Sequence, residues 1–215
     1  MADIFREIDE DLRRDRLNEL WRRYANLVYA AAALIVVGTA ATVWWQNHQR
    51  SQAESLGAQF AGADAMATAD PAKAAAALEV LGSQGDSGYR LLARFRAAGL
   101  KLKSGDKVAG HAALKAIAAD SGVDQAYRDL ATIEDALASV DDAPPADVEK
   151  AVQSLTVASG PWRFTALEVT ALAQFKGGDK AGSLKTYQQI ADDLDAPPSL
   201  RQRAAEIVEA LSHQG

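Results

Sequence analysis

The sequence predicts an all-α protein, with a single transmembrane helix near the N-terminus followed by an α-solenoid of helical hairpins. Three observations support this prediction. Residues 27–45 contain no charged side chain, the rest of the chain is rich in alanine with few β-branched runs, and breaks containing glycine or proline recur at short intervals after the apolar run. We therefore expect one helix continuing from the apolar run and about eight more after it.

The apolar run divides the chain into three predicted parts. These are a charged amphipathic tail at 1–26, a transmembrane helix at 27–45 and a helical domain at 46–215. At about 1.5 Å per residue, the run spans roughly 29 Å, which matches the hydrocarbon core of a bilayer. Aromatic residues near both ends suit the membrane interfaces. A buried core helix is the alternative, but such a helix seldom contains so long a run without a charge.

The distribution of basic residues predicts the orientation of this helix. Six arginines precede the run, whereas only Arg50 lies between its end and Lys73. Short cytoplasmic flanks are rich in Lys and Arg, so we expect a cytoplasmic N-terminus and a periplasmic C-terminal domain at a bacterial inner membrane. A cleaved signal peptide fits less well, because the leading segment is charged in both signs and the apolar run exceeds the usual length of roughly 7 to 15 residues.

The tail has the pattern of an amphipathic helix. Its apolar residues recur mostly at three- and four-residue steps, and the stripe begins with Ile4, Phe5, Ile8 and Leu12. The first 23 residues include 13 charged ones, which weakens spontaneous adhesion to lipid. The stripe is a candidate docking surface for the cytoplasmic face of a partner. A solvated helix whose arginines only set the orientation is the alternative.

The apolar run also contains small residues that would allow a second membrane helix to approach closely. Gly38 and Thr42 lie four residues apart, which places them on the same side of a helix. These two residues are candidates for helix packing within the membrane. Alanine is common throughout the chain, however, and the small residues are not confined to one stripe.

Composition excludes several kinds of chemistry. Removing the tail's six bases and seven acids from totals of 23 and 29 leaves 17 and 22, a charge of about −5, which argues against general nucleic-acid binding. With no cysteine, the chain has no disulfide or thiolate site. The histidines His48, His111 and His213 lack metal-type spacing. We therefore predict no cofactor, no metal and no enzymatic activity.

An internal repeat becomes visible when the chain is aligned with itself so that Tyr89 falls on Trp162. The same alignment superposes Leu102 on Phe175, 105–107 on 178–180, Leu114 on Tyr187, and Ile117 on Ile190. The offset, 162 − 89 = 73, is close to twice the length of a two-helix repeat, about 34 to 37 residues. A single hairpin of this size cannot bury its apolar face, so neighbouring hairpins are expected to stack. Chance similarity between alanine-rich segments is the alternative.

The pattern around each Gly-Asp turn resembles the tetratricopeptide repeat family. That family has a small residue four positions after the turn, an aromatic eight after and a small or apolar residue eleven after. Counted from Asp179 these positions hold Ser183, Tyr187 and Ile190, and counted from Asp106 they hold Gly110, Leu114 and Ile117. Arg94 and Leu167 stand where the family often has Trp or Leu. The domain thus resembles a degenerate tetratricopeptide-like solenoid.

Taken as a whole, the chain resembles the YfgM-type single-span tetratricopeptide proteins of the bacterial inner membrane. The resemblance is most specific in 3–10, in 20–24 and in the Trp-Trp pair that ends the apolar run. It implies association with the Sec translocon, with exported proteins and with periplasmic chaperones. The family provides no catalytic motif, so no site residue is transferred from it.

One segment of the exported domain is locally basic. Arg90, Arg94 and Lys101 recur at steps of four and seven, which places them on one side of a helix over 88–103. They are candidate partner-binding residues. The alternative is a solvated face whose long side chains cover apolar surface.

The sequence therefore predicts a membrane-anchored protein-interaction module, with a scaffold or chaperone-like role at the Sec translocon. An accessory or assembly subunit of another inner-membrane complex, such as a respiratory one, is the alternative. An enzyme would require isolated residues to converge in space, and no motif indicates that they do.

Overall fold

The computed structural model describes the backbone of residues 2–84, 87–157 and 160–213, and side chains over 21–27, 29–83, 88–157 and 160–213. Within these ranges the chain forms nine α-helices, two short 3-10 helices at Met66–Thr68 and Gln153–Leu155, and no strand. The predicted all-α fold is confirmed. The α-helices are Ala2–Ala65 (α1), Pro71–Gln84 (α2), Ser87–Lys103 (α3), Lys107–Ala118 (α4), Gln125–Ser139 (α5), Pro145–Val152 (α6), Arg163–Lys176 (α7), Lys180–Asp192 (α8) and Pro198–Ser212 (α9).

The chain separates into two compact units, residues 1–55 and residues 56–215. The first unit is a single helical segment, and the large apolar side chains described over 29–45 are exposed. The helix from Trp21 onward contains an 18-residue stretch that is long and apolar enough to cross a membrane, and none of that stretch is buried. Leu34, for example, is 76% exposed. This property of length and composition makes the helix a candidate membrane span.

The second unit is a stack of helices that pack mainly on their neighbours in the chain. Each helix from α2 to α8 contacts the next one, and α5 also contacts α7. Three clusters of buried apolar side chains lie between them: one joins the end of α1 to α2 and α3, one joins α5, α6 and α7, and one joins α7, α8 and α9. Stacking of this kind buries a continuous set of apolar faces, as expected for helical repeats.

The internal repeat is confirmed in the helix bounds. Helices α4 and α8 start at Lys107 and Lys180, which gives an offset of 180 − 107 = 73. Helices α5 and α9 both start and end with the same offset, since 198 − 125 = 73 and 212 − 139 = 73. The set α3–α4–α5 is therefore repeated as α7–α8–α9.

The turns at the middle of each repeat are also equivalent. Gly105 and Gly178 have φ angles of +92° and +85°, which favour glycine because a Cβ would clash with the backbone. The next residue donates its N–H to a carbonyl five residues earlier, in the pairs Asp106 to Lys101 and Asp179 to Gln174, both at 2.9 Å. Each Asp also caps the following helix by accepting an N–H bond, as the sequence predicts. The three residues 104–106 thus end α3 and start α4, and the equivalent residues 177–179 end α7 and start α8.

Close approach of α3 and α4 explains why the family pattern has a small residue after the turn. A Cβ added to Gly110 would lie 2.6 Å from Cγ of Leu102 and 3.1 Å from the Leu102 backbone nitrogen. The equivalent residue in the second repeat, Ser183, is fully buried. Helix packing at this distance leaves room only for a small side chain.

Candidate protein-interaction surfaces

The helices of residues 56–215 form two layers, which we name by their order within each hairpin. The first layer contains the end of α1 and helices α3, α5, α7 and α9, and the second contains α2, α4, α6 and α8. Within the first layer, α5 contacts α7, and ion pairs join the end of α1 to α3 and α7 to α9. Arg96 of α3 lies 2.5 Å from Asp64 of α1, and Arg203 of α9 lies 2.8 Å from Glu168 of α7.

One of the predicted basic residues of α3, Arg94, connects α3 to α4 and to the segment that follows α4. Arg94 donates to Asp120, after α4, at 2.7 Å, and also to the Ala116 carbonyl at 3.3 Å. The hydrogen bond from Arg94 holds the pKa of Asp120 below its usual value, with smaller contributions from the Gly122 N–H and the charge of Arg90. Arg94 therefore has a structural role inside the domain.

Arg90 and Lys101 lie in different surroundings on the same helix. Lys101 forms an ion pair with Glu79 of α2, and its side chain is 20% exposed. Arg90 is an exposed residue. Two of the three candidate cations are thus engaged by acids of neighbouring helices, and the partner-binding role of the three residues stays a prediction.

An equivalent Arg–Asp pair occurs in the second repeat and was missed at the level of sequence. Arg163 lies 2.9 Å from Asp193, which follows α8. These residues stand 73 positions after Arg90 and Asp120. The acid recurs at the repeat offset, but the arginine that pairs with it is Arg94 in the first repeat and lies one helical turn earlier in the second. Recurrence of the acid was therefore the signal available in the sequence, and it did not identify the paired arginine.

The candidate packing residues of the apolar part of α1 lie in open surroundings. A Cβ added to Gly38 would meet no atom within 4 Å. The hydroxyl of Thr42 donates to the carbonyls of Gly38 and Thr39, at 3.1 and 2.9 Å. The hydroxyl is therefore satisfied within its own helix, as is usual for threonine in an apolar environment. The tail residues Ile4, Phe5, Ile8 and Leu12 lie outside the residues whose side chains the structure describes.

Each of α3, α5 and α7 exposes apolar side chains on the side that faces away from the second layer. We call this surface the first-layer face. It is defined by Leu92, Phe95 and Gly99 of α3, Tyr127, Leu130, Glu134 and Leu137 of α5, and Leu172 and Phe175 of α7. Four of these are large apolar residues between 37% and 50% exposed: Leu92, Tyr127, Leu137 and Phe175. Their three- and four-residue steps were visible in the sequence, but the side that remains uncovered was not.

Glu134 is the acidic residue on the α5 part of this face. The side chain is half-buried, and burial raises its pKa because desolvation disfavours the carboxylate. No hydrogen bond or ion pair to Glu134 occurs in the described part of the chain. The adjacent residue Asp135 points the other way and lies 2.7 Å from Nδ1 of His111 on α4.

Two open grooves lie elsewhere on the domain. One, of about 420 Å³, runs between α6, α7 and α8 and is lined mainly by polar side chains, including Glu149, Lys150 and Thr186. The other, of about 360 Å³, lies between the end of α1 and α2 and is mainly apolar. Among the side chains described over 21–27, 29–83, 88–157 and 160–213, no three His, Asp or Glu residues are placed to hold a metal ion.

Comparison with protein families gives a match that covers most of the chain. The family described as the tetratricopeptide repeat-like domain matches residues 18–195. This range contains the apolar part of α1 and every later helix up to α8. No curated protein and no solved structure matches the chain.

Proposed function

Because the chain belongs to the tetratricopeptide repeat-like domain family, we propose that it is a protein-interaction module held at a membrane by its N-terminal helix. Helical repeats of this kind mediate contacts between proteins through the faces that their stacking leaves uncovered. The first-layer face is such a surface, and it supports the interaction role.

The observation that carries the membrane part of the proposal is the uncovered apolar surface of α1. Residues such as Ile35, Val37 and Trp44 are between 65% and 67% exposed. Exposed apolar surface of this extent is unfavourable in water and favourable in lipid. The arginines before the run favour a cytoplasmic N-terminus and a periplasmic domain in a bacterial inner membrane.

We assign the partner from the resemblance of the tail and the apolar run to YfgM-type proteins. On this basis the module associates with the Sec translocon and contacts exported proteins or periplasmic chaperones. The tail, with its stripe of Ile4, Phe5, Ile8 and Leu12, is the proposed docking segment. Gly38 and Thr42 are proposed to lie against a partner helix within the bilayer.

The experiment is affinity purification from membranes solubilised in a mild detergent, with the tag at the C-terminus. Three forms are compared: the full chain, a variant lacking residues 1–23, and a variant in which the four stripe residues are replaced by serine. The serine variant retains all six arginines that precede the run, so it separates loss of docking from altered membrane orientation.

Recovery of the Sec channel with the full chain, and its loss with the serine variant, is the expected result. Equal recovery of the Sec channel with all three forms would show that the tail is not the docking segment. Docking would then be assigned to the membrane helix or the periplasmic domain. Stoichiometric recovery of a different complex without the channel would contradict the translocon assignment and favour the accessory-subunit alternative.

A further inference from the structure

We propose that the first-layer face binds an apolar polypeptide segment carrying a lysine or arginine, and that Glu134 pairs with that cation. This inference deepens the proposed interaction role by stating the chemistry of the partner. It does not depend on which membrane complex the protein joins.

The position of the face follows from the contacts of α5. Tyr127, Leu130, Glu134 and Leu137 are separated by steps of three, four and three residues, which places them on one side of the helix. The other sides are occupied. Ile133 and Ala136 belong to the buried cluster between α5, α6 and α7, and Asp135 contacts His111 of α4.

The same arrangement continues on the neighbouring helices of the first layer. Ala166 and Val169 of α7 belong to the cluster shared with α5, while Gln174 bonds to Glu149 of α6 and accepts from Thr186 of α8. Phe175 lies on the remaining side of α7 and is exposed, and Leu172 lies at the edge of that side, partly buried against the same cluster. A largely apolar surface therefore extends over at least α5 and α7, which are in direct contact. It carries two carboxylates, Glu168 of α7, which is paired with Arg203, and Glu134 of α5, which has no such partner among the described residues.

The partial burial of Glu134 and its lack of an ion pair among the described residues indicate the charge of the partner. Two other acids of the first layer have cationic partners, namely Asp64 with Arg96 and Glu168 with Arg203. Glu134 has lost part of its hydration without gaining a hydrogen bond or an ion pair from any described residue. An incoming ammonium or guanidinium group would offset that loss, whereas an incoming carboxylate would add repulsion.

Two other occupants fit this face less well. A second copy related by a two-fold axis would bring a second Glu134 close to the first, which is unfavourable between like charges. A bilayer surface rich in anionic lipid would be repelled by the same carboxylate and by the charge of about −5 outside the tail. An apolar segment with a cation meets neither objection.

The test uses the full chain in detergent and two labelled peptides of equal length. Both have alternating leucine and alanine with polar ends, and they differ only at the centre, which is lysine in one and glutamate in the other. Fluorescence anisotropy measures their affinities. We expect the wild-type protein to prefer the lysine peptide by about tenfold, a coupling of about 1.4 kcal/mol.

Substitutions then locate the preference. Glu134→Gln is expected to abolish the preference between the two peptides, and Glu134→Lys is expected to reverse it. Leu137→Ser is expected to weaken both peptides together, because it removes apolar contact without changing charge. The matched control is Glu209→Gln on α9, an exposed acid outside the face, which should leave both affinities unchanged.

Folding failure does not explain the expected result. The raised pKa of Glu134 means that its charge is disfavoured in the folded state, so Glu134→Gln should melt no lower than wild type at pH 7. Three results of the peptide-binding measurements would overturn the proposal. These are equal affinity of wild type for the two peptides, no binding of the lysine peptide up to about 1 mM, and a preference that survives Glu134→Gln. A change of oligomeric mass in Leu137→Ser without a change in peptide affinity would identify the face as a self-interface and would also overturn it.

The peptide test and the purification test fail independently. Absence of the Sec channel from the purification of the full chain would contradict the proposed partner without affecting the peptide preference. Loss of the preference with the channel still recovered would contradict this inference alone.

Discussion

Replacing a glycine of this chain by alanine is expected to lower stability at one position and raise it at another, depending on the atoms that surround the added Cβ. Gly110 faces Leu102 at a distance that excludes a Cβ, whereas Gly62 of α1 has no atom within 4 Å of that position. The two residues look alike in the sequence, since both lie within helical, alanine-rich segments. Only the packing of α3 on α4 distinguishes them.

Gly110→Ala should therefore destabilise the domain. Overpacking costs about 1–3 kcal/mol, and the better helix propensity of alanine returns about 1 kcal/mol, which leaves a net loss of up to about 2 kcal/mol. Thermal unfolding of the full chain in detergent, followed by circular dichroism, measures the change. Gly62→Ala is the matched control and should raise the melting temperature slightly. Equal shifts for both variants would show that α3 and α4 are not this close.

The pair Arg94–Asp120 makes a pH-dependent contribution to stability. The lowered pKa of Asp120 means that the folded state releases this proton more readily than the unfolded state does. The contribution is therefore complete above the unfolded value of about 3.9 and is lost as pH falls through the lowered folded pKa. We expect Asp120→Asn to lower the melting temperature at pH 7, with the difference shrinking towards pH 3.

A double-mutant cycle provides the control for this residue pair. In an Arg94→Gln background, Asp120→Asn should have a smaller effect at pH 7, because the largest cause of the lowered pKa has been removed. An unchanged effect in that background would assign the role of Asp120 to its other bond, with the N–H of Gly122.

At the scale of the element, α3 carries cations with different roles. Arg94 and Lys101 join α3 to the helices around it, whereas Arg90 is exposed. The sequence grouped the three by spacing alone. Spacing places residues on one side of a helix, but the acids that pair with Arg94 and Lys101 lie 26 and 22 positions away in the chain. These acids come close to Arg94 and Lys101 only when the helices pack against one another.

Charge reversal along α3 should separate these roles. Arg90→Glu is expected to weaken binding of an acidic partner segment while leaving the melting temperature nearly unchanged, since exposed charges contribute little to stability. Arg94→Glu should weaken binding only together with a lower melting temperature, because it places a carboxylate beside Asp120. Titration of the purified partner against each variant, with unfolding measured in parallel, makes the comparison. Unchanged affinity with Arg90→Glu would rule out the predicted basic surface.

Whole-molecule topology can be tested cleanly because the chain has no cysteine. Single cysteines at Asp9 and Ser199 report on the two predicted sides of the membrane without any background reaction. In intact spheroplasts, a membrane-impermeant maleimide should label Ser199→Cys and leave Asp9→Cys unlabelled. Lysis should allow both to react.

A variant without residues 1–45 provides the control for that experiment. Lacking the apolar helix, it should leave the membrane fraction in alkaline carbonate, whereas the full chain should remain. Labelling of Asp9→Cys in intact spheroplasts would contradict the predicted orientation. Extraction of the full chain by carbonate would contradict the membrane span itself.

Much of this architecture could be predicted from the sequence, for physical reasons. Helix formation and the Gly-Asp turns depend on backbone conformation, capping and residue spacing, which the local sequence contains, and the internal repeat follows from the recurrence of those local patterns. The apolar run likewise has a composition that can be read directly. Its crossing of a membrane, the domain boundaries at 26 and 45, and the candidate binding residues remain predictions.

The sequence by itself determined the helical class, the order of helices and the turns between them, since each of these is set by local interactions. The tertiary structure decided which sides of the helices are covered. It placed Arg94 against Asp120, excluded a Cβ at Gly110 and left Glu134 without a partner among the described residues, on an apolar face. Those outcomes depend on side chains brought together by stacking, and desolvation at such contacts cannot be derived from local spacing.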